Sequence, residues 1–278
     1  MKELPMKYMK LVDRYKPIKV EGFTLYPFTV EHYEEYLVAS QAIGYMQQKL
    51  PIDLMSMPIL SAFFKMDLQR AVKGEVPTGL FTSALVSLVL ALRLAKDGED
   101  VFEACRNFVP ITSQNDPTQI KLLAFNDPNS GETKTITPVQ FSTLRPIIAA
   151  QNGIEIPDEL DNPELVQAEQ DLAEKKAPKL NVKINNLVVA AADMTGKEEE
   201  EIYGWAVLKL TRRLEMHKRI LDYQICAISE GNGASWKGGN PVPHPYFERE
   251  KEGSDALISM DQFAGGQGLR AMQDAGAI

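Results

Sequence analysis

The sequence has few of the residues that most often carry out chemistry in proteins. Its 278 residues include three histidines and two cysteines. His32, His217 and His244 share no metal-ligand spacing, and Cys105 and Cys226 form no CxxC pair. No serine lies in a GxSxG nucleophile elbow. These absences predict no metal site, no cofactor and no recognisable catalytic centre.

An excess of positive charge is also missing: 30 Lys and Arg stand against 38 Asp and Glu, which gives a formal net charge of −8 at pH 7. Nucleic-acid binding needs a basic surface that displaces counterions, so we expect no nucleic-acid partner. Residues 1–19 are the exception, with a net charge of +4. We interpret them as an exposed, partly ordered arm that docks on an acidic neighbour, with membrane-surface binding as the alternative.

Long apolar runs are missing as well. The best candidate, residues 80–95 (LFTSALVSLVLALRLA), contains Arg93 and is shorter than the about 20 residues that a membrane span needs. No signal-peptide pattern follows the first lysines. Cys105 and Cys226 are interpreted as buried thiols. We therefore expect a cytoplasmic protein without a membrane partner.

The hydrophobic periodicity predicts a mainly α fold, a helical bundle-like body with one or two small β-hairpins; an α+β fold is the alternative. Alternating apolar residues around turn formers predict a short strand or hairpin at residues 20–30, ending at Pro27, and a hairpin at residues 120–138. Helices are predicted at residues 29–50, 54–73, 78–96, 138–152, 161–177 and 197–229, with further helix from about 182. Helix 78–96 is the predicted core helix, so Leu88→Asp should unfold the protein.

Several residues are predicted to define the helices. Thr29 and Thr195 are the expected N-caps of the first and last long helices, and Gly153 is expected to end the helix that begins at Pro138. The expected apolar face of the first helix contains Tyr33, Tyr36, Leu37, Ile43 and Met46.

The chain divides into five predicted segments. They are a basic N-terminal arm (1–19), an N-terminal helical domain with small β-hairpins (20–156), an acidic helical linker (157–178), a C-terminal helical region (179–230), and an irregular Gly/Pro/aromatic strap with a flexible tail (231–278). The linker is predicted because residues 155–174 contain eight acidic and no basic residues, which is typical of a solvated face.

The strap begins within SEGNGASWKGGNPVPHPYFERE (residues 229–250) and fails both common nucleotide motifs. Gly239 stands where a phosphate loop needs its lysine, and Trp236 stands where GxGxxG needs its third glycine. Its aromatic side chains have the chemistry of interface anchors, although packing on the same chain stays equally open. The candidate interaction residues are Trp236, Pro243, Pro245, Tyr246 and Phe247 in the strap, with Tyr26 and Tyr33 near the N-terminus.

Two stretches resemble tail-assembly proteins of tailed bacteriophages. FTLYPFTVEHYEEYL (residues 23–37) is similar to the openings of such proteins encoded beside tape-measure genes. YQICAISEGNGASWKGGNPVPHPYFERE (residues 223–250) is similar to C-terminal ends found in tail and baseplate gene clusters. The resemblance implies a non-enzymatic chaperone in the host cytoplasm. Such a chaperone holds an unassembled tape-measure, tail-tube or baseplate component until polymerisation displaces it.

Two other functions stay open. A permanent tail or baseplate component would be found in the virion tail. An enzyme with an unrecognised site would show a deep pocket containing His217, His244 or paired carboxylates. The sequence also leaves open whether the chain forms a homo-oligomer and whether a frameshifted longer form exists.

Overall fold

The computed structural model describes residues 4–96, 98–114, 116–128, 130–157, 183–233 and 242. Within them the fold is mainly α with two small antiparallel sheets, which confirms the predicted fold class. The helices are α1 Met6–Val12, α2 Tyr33–Ile43, α3 Ile59–Val72, α4 Leu80–Leu92, α5 Val101–Ala104, α6 Pro138–Asn152, α7 Ile184–Thr195, α8 Glu199–Tyr203 and α9 Val207–Gly231. The strands are β1 Ile18–Val20, β2 Phe23–Leu25, β3 Val109–Thr112, β4 Ile120–Asn126 and β5 Thr133–Ile136.

Both predicted hairpins are present. β1 pairs with β2, and the turn between them places Glu21 and Gly22 at φ 49° and 83°, the left-handed geometry of a tight hairpin turn. β4 pairs with β5 across the second turn. β3 was not predicted; it pairs with the other side of β4 as an edge strand, the position in which a sheet tolerates Pro110.

Helix α4 is the core helix, as predicted. Ala84, Leu88 and Ala91 are fully buried, and α4 packs against α2 and α3. Its two buried serines bond within the helix: the Ser83 hydroxyl donates to the Gly79 carbonyl at 2.9 Å. Because buried polar groups are thus satisfied, the apolar run can lie in the core on nearly all sides.

Helix α6 begins and ends where the sequence predicts. Thr137 and Gln140 form a reciprocal capping box, in which the Thr137 hydroxyl accepts from the Gln140 N–H at 3.1 Å and the Gln140 side chain accepts from the Thr137 N–H at 2.9 Å. Pro138 occupies the first helical position. Gly153 ends the helix at φ 67°, a left-handed conformation that favours glycine.

The prediction for α2 was wrong in three details. The helix ends at Ile43 and not at Leu50, so Met46 lies outside it. Thr29 precedes a 3-10 turn, Val30–His32, and its side chain makes no capping hydrogen bond. Leu37 is 48% exposed because the core-facing side of α2 is set by Ala39, Ala42 and Ile43, roughly opposite Leu37 around the helix.

The single long helix predicted from residue 197 was also wrong, because Gly204–Ala206 interrupts it. Here the Val30 N–H donates to the Trp205 carbonyl, and the Val207 N–H donates to the Phe28 carbonyl, both at 2.9 Å. This long-range pairing takes the backbone groups that a continuous helix would use.

Thr195 lies at the end of α7 and caps no helix start. Its hydroxyl donates to the Ala191 carbonyl at 2.6 Å, and Gly196 ends α7 at φ 64°. The threonine therefore bonds back along its own helix.

The chain forms two compact units, Met1–Arg213 and Leu214–Ile278. In the second unit the described part of α9, residues 214–231, contains no buried residue. Cys226 is half-buried there, so its prediction as a buried thiol was wrong, whereas Cys105 in the first unit is buried. The predicted helix 161–177 lies outside the described residues, as does nearly all of the acidic linker.

Candidate functional site

An apolar groove lies between α1 and α6. Its volume is about 640 Å³, within the range of about 300 to 1,000 Å³ typical of ligand-binding pockets. Among the described residues that line it, Glu155 and Arg212 are the charged ones. The described lining residues are Leu4, Met6, Met9, Val12, Pro146, Ala150, Gly153, Ile154, Glu155 and Arg212.

Helix α1 forms one wall of the groove. Pro5 starts the helix, and its carbonyl accepts a hydrogen bond from the Tyr8 N–H at 2.8 Å. Val12 is buried, whereas Met6 and Met9 are 76% and 40% exposed. These apolar residues are three positions apart in the sequence, so they lie on one face of α1. This spacing is the sequence feature that could have indicated the groove. The basic arm thus contains an amphipathic helix.

Helix α6 forms the opposite wall and is itself packed into the core. Pro146 and Ala150, four residues apart, line the groove. The opposite face of α6 is fully buried, through Phe141, Leu144 and Ile148. This wall is therefore set by the core and needs no ligand to hold it.

The last turn of α6 is also held by hydrogen bonds to distant backbone. The Asn152 side-chain oxygen accepts from the Phe28 N–H at 2.7 Å. The Gln151 side-chain nitrogen donates to the carbonyls of Lys16 and Leu25, each at 3.2 Å. Both side chains are buried, and these bonds hold the last turn of α6 next to Gly153, which lines the groove.

Arg145 connects α6 to the end of α2. Its Nε donates to the Ile43 carbonyl at 2.8 Å, and a terminal guanidinium nitrogen donates to the Tyr45 carbonyl. A buried cation at the C-terminal end of a helix is stabilised by the helix dipole and by the last carbonyls. Arg145 thus has a structural role behind the groove.

The chemistry of the groove suits an apolar polypeptide segment. Methionine side chains are flexible and polarisable, so Met6 and Met9 can repack around partners of different shape. Glu155 and Arg212 supply opposite charges that can orient a bound segment. The part of the groove lining that the structure describes contains no histidine, cysteine, serine or lysine to act as a nucleophile.

The second unit presents a separate apolar surface on α9. Leu221, Ile225 and Ile228 are 43% to 64% exposed and lie four and three residues apart, on one face of the helix; Met216, five residues before Leu221, is 40% exposed and points about 140° away. Such spacing is typical of a helix face that packs on another helix.

Of the predicted interaction residues, the structure describes Tyr26 and Tyr33. Both are half-buried, and the Arg93 guanidinium carbon lies 4.4 Å from the centre of the Tyr26 ring. The Tyr33 and Tyr36 ring centres are 5.6 Å apart. Neither tyrosine lines the apolar groove. The other candidates, Trp236, Pro243, Pro245, Tyr246 and Phe247, lie outside the described residues.

No group of three or more histidines, cysteines and carboxylates in the described part of the chain is arranged to hold a metal ion. Burial, with repulsion from Asp100, raises the pKa of the Cys105 thiol to about 12, which disfavours the nucleophilic thiolate. His217 is half-buried on α9, and His244 lies outside the described residues.

Comparisons with known proteins identify no relative: no family model, no curated protein and no solved structure matches the chain. None of the helices in the described ranges has the length and apolar character to cross a membrane.

Proposed function

We propose that this protein is a non-enzymatic bacteriophage tail-assembly chaperone that holds a short apolar segment of an unassembled tail protein in the groove between α1 and α6. The groove is the observation that carries the proposal, because seven of the ten described residues that line it have apolar side chains. The resemblance of residues 23–37 and 223–250 to phage tail-assembly proteins supplies the class of partner, namely tape-measure, tail-tube or baseplate components.

The dimensions of the groove favour a helical segment as the occupant. Helix α1 has seven residues and is therefore about 10 Å long, which matches about two turns of a partner helix. Such a helix would place apolar side chains three and four residues apart against Met6, Met9 and Pro146. The faces of the partner helix that point away from the groove would be polar or would be covered by another surface.

Reversible binding is what a chaperone of this kind needs. A two-turn helix in one groove buries less than the roughly 1,200 to 2,000 Å² of stable protein interfaces. We therefore expect a complex that dissociates when the partner polymerises in the host cytoplasm. Nucleic acid and membrane are not required for this function.

A permanent role in the tail or baseplate is the second candidate. The exposed apolar residues of α9 favour it, because a surface of this kind is typical of interfaces that stay covered. Mass spectrometry of purified virions separates the two functions. A chaperone should be missing from the finished particle, whereas a structural component should be present in fixed stoichiometry.

The chaperone proposal is tested by co-purification with each tail protein of the same phage. Met9→Glu places a charge in the groove and should weaken binding at least about tenfold. Met55→Glu is the matched control, since Met55 is 36% exposed, close to the 40% of Met9, and lies outside the groove lining. Absence of binding to every tail protein at micromolar concentration would reject the proposal, as would equal binding by both variants.

A further inference from the structure

A second cavity follows the end of α1, and the charged residues that line it within the described ranges are all basic. Its volume is about 270 Å³. The lining residues are Arg14, Tyr15, Pro27, Thr29, Arg93, Gly204, Trp205, Ala206 and Lys209. Three of them are cationic and none is acidic, although the whole chain has a net charge of −8. Like charges at short range repel, so this arrangement needs a compensating anion or has a cost.

Two of the cations are held at the cavity by aromatic rings. The Lys209 Nζ lies 3.6 Å from the centre of the Trp205 ring, and the Arg93 guanidinium carbon lies 4.4 Å from that of Tyr26. Trp205 is only 6% exposed, so its ring is a fixed platform. Cation–π contacts therefore keep these charges near the cavity.

Two of the three cations, Arg14 and Lys209, form no ion pair with a carboxylate in the described part of the chain. Arg14 and Lys209 have no acidic group within ion-pair distance among the described residues. Asp13, the nearest acid along the chain, pairs with Arg212 at 3.2 Å. The positive charge at the cavity is consequently not neutralised by a direct contact to Arg14 or Lys209.

A neighbouring cavity shows the contrasting arrangement. Arg93 also lines this cavity, whose volume is about 330 Å³. There the Lys134 Nζ lies 2.7 Å from an Asp127 carboxylate oxygen, and both residues line the cavity. That cavity has an acidic residue in its lining, whereas none of the described lining residues of the all-basic cavity is acidic.

Electrostatics agree with the geometry. Desolvation lowers the pKa of Lys209, and repulsion from Lys197 and Arg213 lowers it further, while Glu201 acts in the opposite sense. A lysine in this position gains most from an incoming anion.

The backbone at the cavity has an unusual conformation. Tyr15 and Arg93 have φ of 55° and 53°, and they are two of three non-glycine residues with positive φ in the described ranges. Strained backbone of this kind is concentrated at functional sites.

We propose that this cavity is a binding site for a multiply charged oxyanion, supplied either as phosphate or as clustered carboxylates. Arginine and lysine side chains recognise both groups through charge-assisted hydrogen bonds. Stacking of a nucleobase is disfavoured, because Lys209 already covers a face of Trp205 and Arg93 a face of Tyr26. The site does not depend on the function proposed for the apolar groove.

Fluorescence of Trp205 tests the site directly. The full-length Trp236→Phe protein leaves Trp205 as the single tryptophan, because the chain has two. Sodium phosphate is titrated at constant ionic strength set with sodium chloride, and a hexaglutamate peptide is titrated in a second arm. Saturable binding of either probe is expected, and Arg14→Gln with Lys209→Gln should weaken it at least about tenfold. Lys121→Gln, an exposed lysine outside the cavity, is the control and should bind normally.

The arms separate the two sources, since saturation by phosphate alone or by the peptide alone identifies the group that binds. The absence of a saturable change with both probes up to roughly 10 mM overturns the site. Equal affinity in the double variant also overturns it. Circular dichroism verifies that the double variant is folded, and Arg14→Gln alone replaces it if it is not. As a second readout, phosphate should raise the Tm of the parent protein more than that of the variant; an equal rise would be a general salt effect and would reject the proposal.

Discussion

The side-chain oxygen of Asn152 accepts a hydrogen bond of 2.7 Å from the backbone N–H of Phe28, 124 residues earlier in the chain. Both residues are buried, and the Asn152 side-chain nitrogen also donates to the Ile148 carbonyl at 2.8 Å. The end of α6 is thus fixed to the segment that follows β2. This contact holds the last turn of α6 next to the groove and gives the first prediction.

Asn152→Ala should lower the free energy of unfolding by about 1 to 3 kcal/mol, because the buried Phe28 N–H loses its acceptor. Urea denaturation monitored by circular dichroism measures the change. Asn186→Ala in α7 is the matched control: Asn186 is exposed, and alanine has the higher helix propensity, so stability should be unchanged or slightly increased. Equal effects of the two substitutions would show that the hydrogen bond contributes nothing.

Gly153→Ala and Gly196→Ala separate a steric effect from a backbone effect. Both glycines end helices at nearly the same φ, 67° and 64°, so both substitutions should cost about 1 to 2 kcal/mol from the left-handed backbone. Only at Gly153 would an added Cβ meet another side chain, 2.9 Å from Leu208 Cδ1. Thermal unfolding should therefore show the larger loss for Gly153→Ala. A larger loss at Gly196 would contradict this packing.

Leu88→Ala and Leu37→Ala test the core. Leu88 is fully buried in α4, and its truncation should cost about 2 to 5 kcal/mol through lost burial and a residual cavity. Leu37 is 48% exposed on α2, and its truncation should cost less than about 1 kcal/mol. Denaturant midpoints of the two variants give the comparison. A strong effect at Leu37 would instead support the sequence-based helix face.

Cys105 should make stability depend on alkaline pH. Its pKa is raised from 9.0 to about 12 in the folded protein by burial and by Asp100. Its contribution to stability is therefore fully present below about pH 9 and is lost as the pH rises towards 12, because the unfolded chain ionises first. Burial also raises the pKa of Tyr36 and Tyr45, which adds to the slope.

The measurement compares the native protein with Cys105→Ala. Between pH 8 and 10.5 the free energy of unfolding should fall more steeply with pH in the unsubstituted protein than in Cys105→Ala. The difference should correspond to roughly one ionising group. Thiol reagents at pH 8 supply a second readout: Cys226 should react in the folded chain and Cys105 only after denaturation. Rapid modification of both thiols in the folded state would be inconsistent with the burial of Cys105.

Trp236→Ala is predicted to weaken partner binding while the helical signal in circular dichroism stays unchanged. The reason is the large area that a tryptophan buries at an interface. Co-purification with the tail protein retained in the groove assay measures the effect. Loss of folding would indicate that the strap packs on its own chain.

Local signals in the sequence were sufficient for the regular elements of the core. Pro138 and Gly153 mark the ends of α6, and the apolar periodicity of residues 78–96 identifies α4, because start signals, stop signals and burial are encoded within a few residues. Leu37 and Thr29 were misassigned since the phase of a short amphipathic helix depends on where its first turn begins.

Features made by distant residues were not accessible in this way. The break before α9 depends on Phe28 and Val30, which lie almost 180 residues earlier than Trp205. The all-basic cavity joins Arg14, Arg93 and Lys209, which share no motif. The apolar face of α1 was visible in principle, but the surrounding lysines made the segment resemble a solvated arm.

Phe28 uses both of its backbone groups on remote partners, its N–H on Asn152 and its carbonyl on Val207. The residues before 157 and those after 183 are consequently joined by non-covalent contacts that do not involve the chain between them. A protease cut within residues 158–182 should leave two fragments that stay associated in native buffer and separate in denaturant. Insertion of extra residues within 158–182 should be tolerated for the same reason.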